Sequence, residues 1–176
     1  MTEKFILDAC AGFRQFWFNK EHPNCIYLDQ KPEVEPDIVG DFRDLSQFKD
    51  NNFRLVIFDP PHLIKKTNGQ AMNMVRDYGC LSPETWQSDL RQAFKELWRV
   101  LAPMGILLFK WNTVSQSGPE IMKLFPVKPL IYQVSQNKHD AYPEGKRQKS
   151  LVILWFCFMK IPGDNFISSV KNEEKT

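Results

Sequence analysis

The sequence predicts an α/β fold in which a seven-stranded, mainly parallel sheet ends in an antiparallel hairpin. Three observations predict this class. Strand-like and helix-like segments alternate from the first residues, as they do where helices connect parallel strands. Residues 83–101 carry apolar side chains at the spacing of one helix face. Two strand-like runs, 130–135 and 150–160, then follow each other without a helical pattern between them, which indicates the hairpin.

The elements can be assigned in order along the chain. A helix is predicted over residues 13–21, just after Gly12, because its apolar side chains have helical spacing. The longer helix, 83–101, has a capping serine at Ser82 and ends near Pro103. The predicted strands are the short apolar runs 4–9, 25–29, 37–41, 54–59, 105–111, 130–135 and 150–160.

Length and composition exclude several classes of protein. With 176 residues and 43% hydrophobic residues, the chain fits one domain, 1–161, followed by a polar tail, 162–176. No run approaches the roughly 18 apolar residues of a membrane span, and the start lacks a signal-peptide pattern, so we expect a cytoplasmic protein. The four scattered cysteines favour free thiols over disulfides or a metal site. A net charge of +2 neither requires nor excludes nucleic acid.

Four of the predicted strands end in an aspartate, at the edge where ligands bind in sheets of this kind. Asp29 lies about 20 residues beyond the loop of the first strand, where an acid accepts from the ribose hydroxyls of an adenosine-containing cofactor. Asp41 fits an acceptor for an adenine amino group. Chance surface acids or helix caps are the alternative explanation. The four acids are Asp8, Asp29, Asp41 and Asp59.

The loop after the first strand narrows the choice of cofactor. It reads DACAGFR and keeps one glycine, Gly12, which allows close approach of a ligand to the backbone. The GxGxxG turn that holds a dinucleotide pyrophosphate is absent, so a nicotinamide cofactor is disfavoured. S-adenosylmethionine (SAM) contains adenosine without a pyrophosphate and fits better. The predicted cofactor-binding residues are Asp8, Ala9, Cys10, Gly12, Arg14, Asp29, Asp41, Phe42 and Asp59.

A second motif, Asp59-Pro60-Pro61-His62, follows the fourth strand in the stretch DNNFRLVIFDPPH. Together with the loop ILDACAGFRQFWF, it resembles the class I SAM-dependent methyltransferases. Within them it is similar to amino-methyltransferases with a DPPY-type motif, such as DNA adenine-N6 methyltransferases, and more narrowly to small phage-type enzymes. The resemblance covers roughly residues 4–160. It implies a Rossmann-like fold, SAM as cofactor and transfer of a methyl group to an exocyclic amine.

The resemblance also implies catalytic roles for the four motif residues. Asp59 and the carbonyl of Pro60 would accept the two hydrogens of the amine, which directs its lone pair at the methyl group. The prolines Pro60 and Pro61 fix that carbonyl. His62 replaces the aromatic residue of the family motif and would stack on a flipped or single-stranded base. The alternative is a rigid turn in which Asp59 caps a helix.

Two segments are candidates for substrate contact. The connection 63–82 could close over a substrate or be a solvated loop, and the sequence leaves its role open. The basic segment 137–149 suits phosphate and base contact, although a solvated hairpin turn is the commoner explanation. Trp111 either lines the pocket or belongs to the core. The predicted substrate-binding residues are His62, Lys65, Lys66, Arg76, Trp111, Lys146 and Arg147.

The sequence therefore predicts a SAM-dependent methyltransferase that acts on an exocyclic amine of a nucleobase. Adenine N6 in DNA ranks first, and RNA is close behind. Nucleic acid is the expected partner, and a homodimer or recognition partner is left open because no separate recognition domain is visible. One alternative is a non-catalytic module that binds nucleic acid or a partner. Another is a protein glutamine-amide methyltransferase, against which Asp59 in place of asparagine argues.

Overall fold

The computed structural model describes residues 4–65, 79–136 and 152–163. Within these ranges one sheet has the strand order β3-β2-β1-β4-β5-β7-β6. Its strands are β1 (Ile6–Asp8), β2 (Cys25–Asp29), β3 (Ile38–Val39), β4 (Phe53–Phe58), β5 (Leu101–Asn112), β6 (Ile131–Gln136) and β7 (Val152–Met159). The described helices are α1 (Trp86–Val100), α2 (Gly118–Met122) and a 3-10 helix (Pro32–Val34). None of these helices has the length and apolar character that a membrane crossing requires.

The sheet has the topology that the sequence predicts. Strands β1 to β5 pair with one another in parallel, and β7 runs antiparallel to both β5 and β6. The predicted α/β fold with a C-terminal antiparallel hairpin is confirmed. The order of the strands reverses between β1 and β4, because β2 and β3 lie on one side of β1 and the later strands on the other. Ligands bind beyond the carboxyl ends of the strands at such a point.

Helix α1 and its aromatic contacts form the larger core, on one face of the sheet. Its buried residues Leu90, Phe94 and Leu97 share one side of the helix, as the periodicity predicts. The Phe94 ring packs edge-on against Phe58 of β4 and Phe109 of β5, at centroid distances of 6.0 and 5.5 Å. This packing fixes the carboxyl ends of β4 and β5. It therefore also fixes the position of the residues that come next in the chain after each strand.

The start of α1 differs from the prediction. The helix begins at Trp86 rather than Pro83, because residues 82–85 form a turn in which the Ser82 carbonyl accepts from the N–H groups of Thr85 and Trp86. The Ser82 hydroxyl donates to Glu84 at 2.6 Å instead of capping the helix. Strand β5 begins directly after α1, earlier than predicted.

The predicted helix over residues 13–21 is wrong. The chain forms turns between β1 and β2, and both Gly12 and Arg14 have positive φ values, 48° and 55°, which a right-handed helix does not tolerate. Side chains hold this segment instead. The indole N–H of Trp17 donates to Asp8 at 2.8 Å, and the Trp17 ring packs edge-on against Tyr27 at 5.2 Å. The segment thereby covers the face of the sheet opposite α1.

Several predicted residues lie outside the described residues. They are Lys66, Arg76, Lys146 and Arg147, residues 66–78 of the connection 63–82, all of the basic segment 137–149, and all of the polar tail except Pro162 and Gly163.

Candidate active site at the switch point of the sheet

Three of the four strand-end acids follow adjacent strands at the switch point. Asp8 ends β1, Asp29 ends the neighbouring β2, and Asp59 follows β4 on the other side of β1. Asp8 is fully buried and accepts from Trp17 and from the N–H of Cys10. Burial raises the pKa of Asp8 to about 7, and the negative charges of Asp59 and Asp29 add to the effect. Asp8 therefore anchors the loop from inside.

The backbone of the loop after β1 bonds to both strands that flank β1, to β4 at Ile57 and to β2 at Leu28. The N–H of Ala9 donates to Ile57 at 2.9 Å, and the N–H of Ala11 donates to Leu28 at 3.0 Å. Burial, together with the surrounding aspartates, raises the pKa of the Cys10 thiol well above its usual value. Cys10 is therefore a neutral thiol, which contributes to the packing of the loop and adds no charge to it.

Asp29 is held by the main chain. Its Oδ2 accepts from the N–H of Gly12 at 2.8 Å, and its Oδ1 accepts from the N–H of Lys31 at 2.9 Å. A Cβ placed on Gly12 would meet no atom within 4 Å, so the loop backbone borders open space at this position. Each carboxylate oxygen has a further lone pair. Asp29 is thus a fixed acceptor at the edge of an open space, which fits the ribose of an adenosine-containing cofactor.

Asp41 and Phe42 are engaged with other parts of the protein. Burial acts to raise the pKa of Asp41, but hydrogen bonds from Arg43 outweigh it and lower the pKa. The Arg43 guanidinium also pairs with Asp89 of α1 at 3.1 Å. Phe42 is buried and packs edge-on against Phe58 at 5.3 Å. The contact of Asp41 with an adenine, and that of Phe42 with the cofactor, remain predictions.

Arg14 also uses its side chain within the protein. The guanidinium donates to the carbonyls of Lys20 and Glu35, at 2.8 and 2.7 Å, and lies over the Tyr27 ring at 4.0 Å from its centroid. These contacts tie the loop to the end of the 3-10 helix. The predicted cofactor contact of Arg14 is untested.

The DPPH motif lies at the carboxyl end of β4, on the other side of the switch point. Pro60 is buried, and Pro61 and His62 are partly exposed. Burial lowers the pKa of His62, although the Asp59 carboxylate opposes this effect. The imidazole is therefore neutral at pH 7, since its unperturbed pKa is already 6.5. A neutral ring at this position is available for stacking.

Asp59 has an ionic partner that the sequence did not reveal. The Nζ of Lys110 on β5 lies 2.6 Å from its Oδ2, and the two side chains are 26% and 21% exposed respectively. Burial raises the pKa of Asp59 above its usual value. The positive charge of Lys110 opposes this effect, and His62 adds a smaller opposing effect only while its imidazole is protonated. The alternation of buried and partly exposed residues along β5 is the sequence signal that could have revealed this pair. Because Trp111 is buried, Lys110 lies on the opposite face of the sheet, at the strand end beside β4.

Trp111 and Lys65 are placed differently from each other. Trp111 is 1% exposed, packs against Phe109 and donates its indole N–H to the Gln116 carbonyl at 3.0 Å. Of the two explanations that the sequence left open, the structure supports the core residue. Lys65 is exposed beside the motif, and its backbone N–H donates to Leu81 at 3.1 Å.

Comparison with known proteins shows the fold. No family model matches the chain, and no curated protein sequence matches it. Among solved structures, it is similar to the PH0226 protein of Pyrococcus horikoshii, with 16% identity and a TM-score of 0.54 over 88% of this chain and 81% of that one.

Two further solved structures are SAM-dependent methyltransferases. One, from Leishmania major, is 13% identical with a TM-score of 0.53, over 86% of this chain and 63% of that one. The other, from Thermotoga maritima, is 14% identical with a TM-score of 0.53, over 91% of this chain and 84% of that one. The chain therefore has the Rossmann-like fold that these methyltransferases share.

Proposed function

We propose that this protein is a SAM-dependent methyltransferase that acts on an exocyclic amine of a nucleobase. One observation carries the proposal. The partly buried Asp-Pro-Pro-His motif, residues 59–62, follows β4 at the switch point of the sheet, beside a loop in which Asp29 is fixed next to the open side of Gly12. An amine acceptor site and an adenosine site are thereby adjacent, which the transfer of a methyl group between them requires.

The residues at the ends of β1 and β2 fit the cofactor. Asp29 is oriented by two backbone N–H groups and can accept from ribose hydroxyls with its remaining lone pairs. The loop from Ala9 to Gly12 borders the space that the nucleoside would fill. When bound, SAM supplies the methyl carbon, to which the amine nitrogen forms a bond as the carbon–sulfur bond breaks.

The residues after β4 suit the acceptor amine. Asp59 and the Pro60 carbonyl accept the two N–H hydrogens, so that the nitrogen lone pair points at the methyl group. The nitrogen becomes acidic as the new bond forms, and its proton passes toward the Asp59 carboxylate. His62 is neutral and partly buried, so it can stack on a base without bringing a charge next to the reacting nitrogen.

The acceptor that we propose first is adenine N6 in DNA, followed by adenine N6 in RNA. The support is the DPPY-type motif, in which Asp59 occupies the acceptor position and proline fixes the neighbouring carbonyl. A base must leave its stack to reach such a pocket, which favours single-stranded or flipped nucleotides. Nucleic acid is accordingly the proposed partner.

The test uses labelled SAM, the purified protein and a panel of single-stranded DNA, duplex DNA and RNA. Digested nucleosides are identified by mass spectrometry, and Asp59→Ala is run beside the wild type. The proposal expects N6-methyladenine from the wild type alone. Measurable SAM binding without transfer to any nucleic acid would move the acceptor to a protein amide or a small amine. Absence of both binding and transfer would contradict the enzyme and leave a binding module.

A further inference from the structure

The ion pair between Asp59 and Lys110 follows from the register of the sheet. In the parallel pairing of β4 with β5, Phe58 lies opposite Phe109, so the next residues along the chain, Asp59 and Lys110, are also neighbours. Both rings of the preceding pair point into the core of α1, which directs the two polar side chains to the other face. The structure therefore brings a cation to the carboxylate that the proposed reaction uses.

The surroundings of Lys110 are aromatic. Its Nζ lies 5.7 Å from the ring centroid of Phe16 and 5.8 Å from that of Trp155, and these two rings meet edge-on at 5.9 Å. Trp155 is the direct neighbour of Lys110 in the antiparallel pairing of β5 with β7. Aromatic faces attract an ammonium group within about 6 Å. The two rings can thus stabilise the Lys110 ammonium when it is no longer paired with Asp59.

We propose that Lys110 is a positioning residue, which holds Asp59 as an oriented carboxylate before the acceptor binds and yields Oδ2 to an N–H of the acceptor amine. The exchange of Lys110 for the acceptor amine rests on the proposed function, whereas the effect of Lys110 on the protonation of Asp59 does not. A protonated carboxyl would carry an O–H donor on one oxygen and keep only neutral, weaker acceptor sites for the N–H of the amine. Lys110 opposes that outcome at a position where burial favours the neutral acid.

The groups that face Asp59 come from three places. Lys110 lies on β5 and has the largest favourable effect on the charged form, and His62 from the motif adds a smaller one while it is protonated. From β1 and its loop, Asp8 and Cys10 also interact with Asp59, and the negative charge of Asp59 raises the pKa of both groups. Of these groups, Lys110 is the one whose removal changes the protonation of Asp59 most.

The first experiment measures the carboxyl itself. Protein labelled with ¹³C at the aspartate carboxyl carbons is titrated by NMR, and Asp59→Asn assigns the signal. In Lys110→Met, the pKa of Asp59 is expected to rise by about 1 to 3 units. Lys110→Arg keeps the cation and is expected to leave it near the wild-type value. Lys123→Met, which removes an exposed ion pair with Glu120, is the matched control. An unmoved Asp59 signal in Lys110→Met would overturn the proposal.

The second experiment follows methyl transfer against pH. In Lys110→Met, the acidic limb of the kcat/KM profile is expected to move upward by the same number of units, and the activity is expected to return at high pH. A loss of equal size at every pH would make Lys110 merely structural and contradict the proposal. Burial raises the pKa of Asp8 to about 7, so the pH profile of Lys110→Met is compared with that of the wild type and is not interpreted alone. If the wild type transfers no methyl group, the proposed function fails while the NMR titration still decides the role of Lys110.

Discussion

The two halves of the site hold their carboxylates in different ways. On the β2 side, Asp29 accepts from two main-chain N–H groups, those of Gly12 and Lys31. On the β4 side, Asp59 accepts from the side-chain ammonium of Lys110. Main-chain donors are fixed by the fold, whereas a lysine ammonium ends a flexible stem with several rotatable bonds. The first arrangement makes a permanent acceptor, and the second makes one whose partner can be exchanged.

This difference matches the tasks of the two halves under the proposed function. The cofactor half needs the same geometry in every cycle, and an acceptor that is already oriented loses little freedom when a ligand binds. The acceptor half must receive an N–H donor at an oxygen that otherwise binds a cation. Variants that affect one half without the other are therefore the direct way to test the comparison.

The largest effect is expected for Asp59→Ala. The loss of an oriented acceptor at the reacting amine should lower kcat by about 10²- to 10³-fold. The affinity for SAM, measured by calorimetry, should change little because Asp29 and its loop are unaffected. Asp59→Asn keeps one oxygen acceptor and should lose less, about 10-fold.

Asp44→Ala is the matched control for these aspartate variants, because the Asp44 side chain is exposed and accepts only locally from Ser46. It should retain wild-type rate and affinity. If an Asp59 variant lost both SAM binding and kcat, the two halves would not act independently. That result would contradict the division of the site into a cofactor half and an acceptor half.

The next effect in size is expected for Asp29→Ala. Hydrogen bonds to a charged group contribute about 1.5 to 3 kcal/mol, so the dissociation constant for SAM should rise about 10- to 100-fold. At saturating SAM, kcat should stay close to that of the wild type, since Asp59 and Lys110 are untouched. Calorimetry and steady-state kinetics measure the two quantities separately. An unchanged SAM affinity would contradict the assignment of this half to the cofactor.

Asp8 lies between the two halves and links the stability of the fold to pH. Its pKa is raised by burial from 3.8 to about 7, so the folded state binds the proton more tightly than the unfolded chain does. The resulting stabilisation is complete below pH 3.8 and is lost as the pH rises through about 7. Between pH 6 and 8, the wild type should lose about 1 kcal/mol more than Asp8→Asn in its free energy of unfolding. Parallel urea-unfolding data for the two proteins would contradict this.

Sequence patterns predicted the elements whose formation depends on local signals. The strands at 25–29 and 54–59 are apolar runs that end in an acid, and α1 shows the helical period over several turns. The segment 13–21 also shows that period but folds into turns. Its conformation depends on the positive φ of Arg14 and on a hydrogen bond from Trp17 to the buried Asp8. Neither feature is visible as a local sequence pattern.

The site was predictable to a similar degree. The strand-end acids and the DPPH motif could be found because topology alone brings them to one edge of the sheet. The partners of these acids could not be found in the same way. Asp29 and Gly12 are 17 positions apart in the sequence, and Asp59 and Lys110 are 51 positions apart. Such pairs depend on the order and register of strands, which have to be known before side chains can be matched across them.

The smallest effect is expected for Arg14, and it decides between two roles. The sequence predicts that Arg14 binds the cofactor, for which its charge would suit the methionine carboxylate of SAM, whereas in the structure the guanidinium donates to the carbonyls of Lys20 and Glu35. If Arg14 acts only by holding the loop, Arg14→Ala should weaken binding of SAM and of 5′-methylthioadenosine, which lacks that carboxylate, by the same factor, about 2- to 5-fold. Calorimetry with both ligands measures the ratio. A loss confined to SAM would place a charged side chain in direct contact with the cofactor, and the cofactor half would then no longer depend on main-chain donors alone.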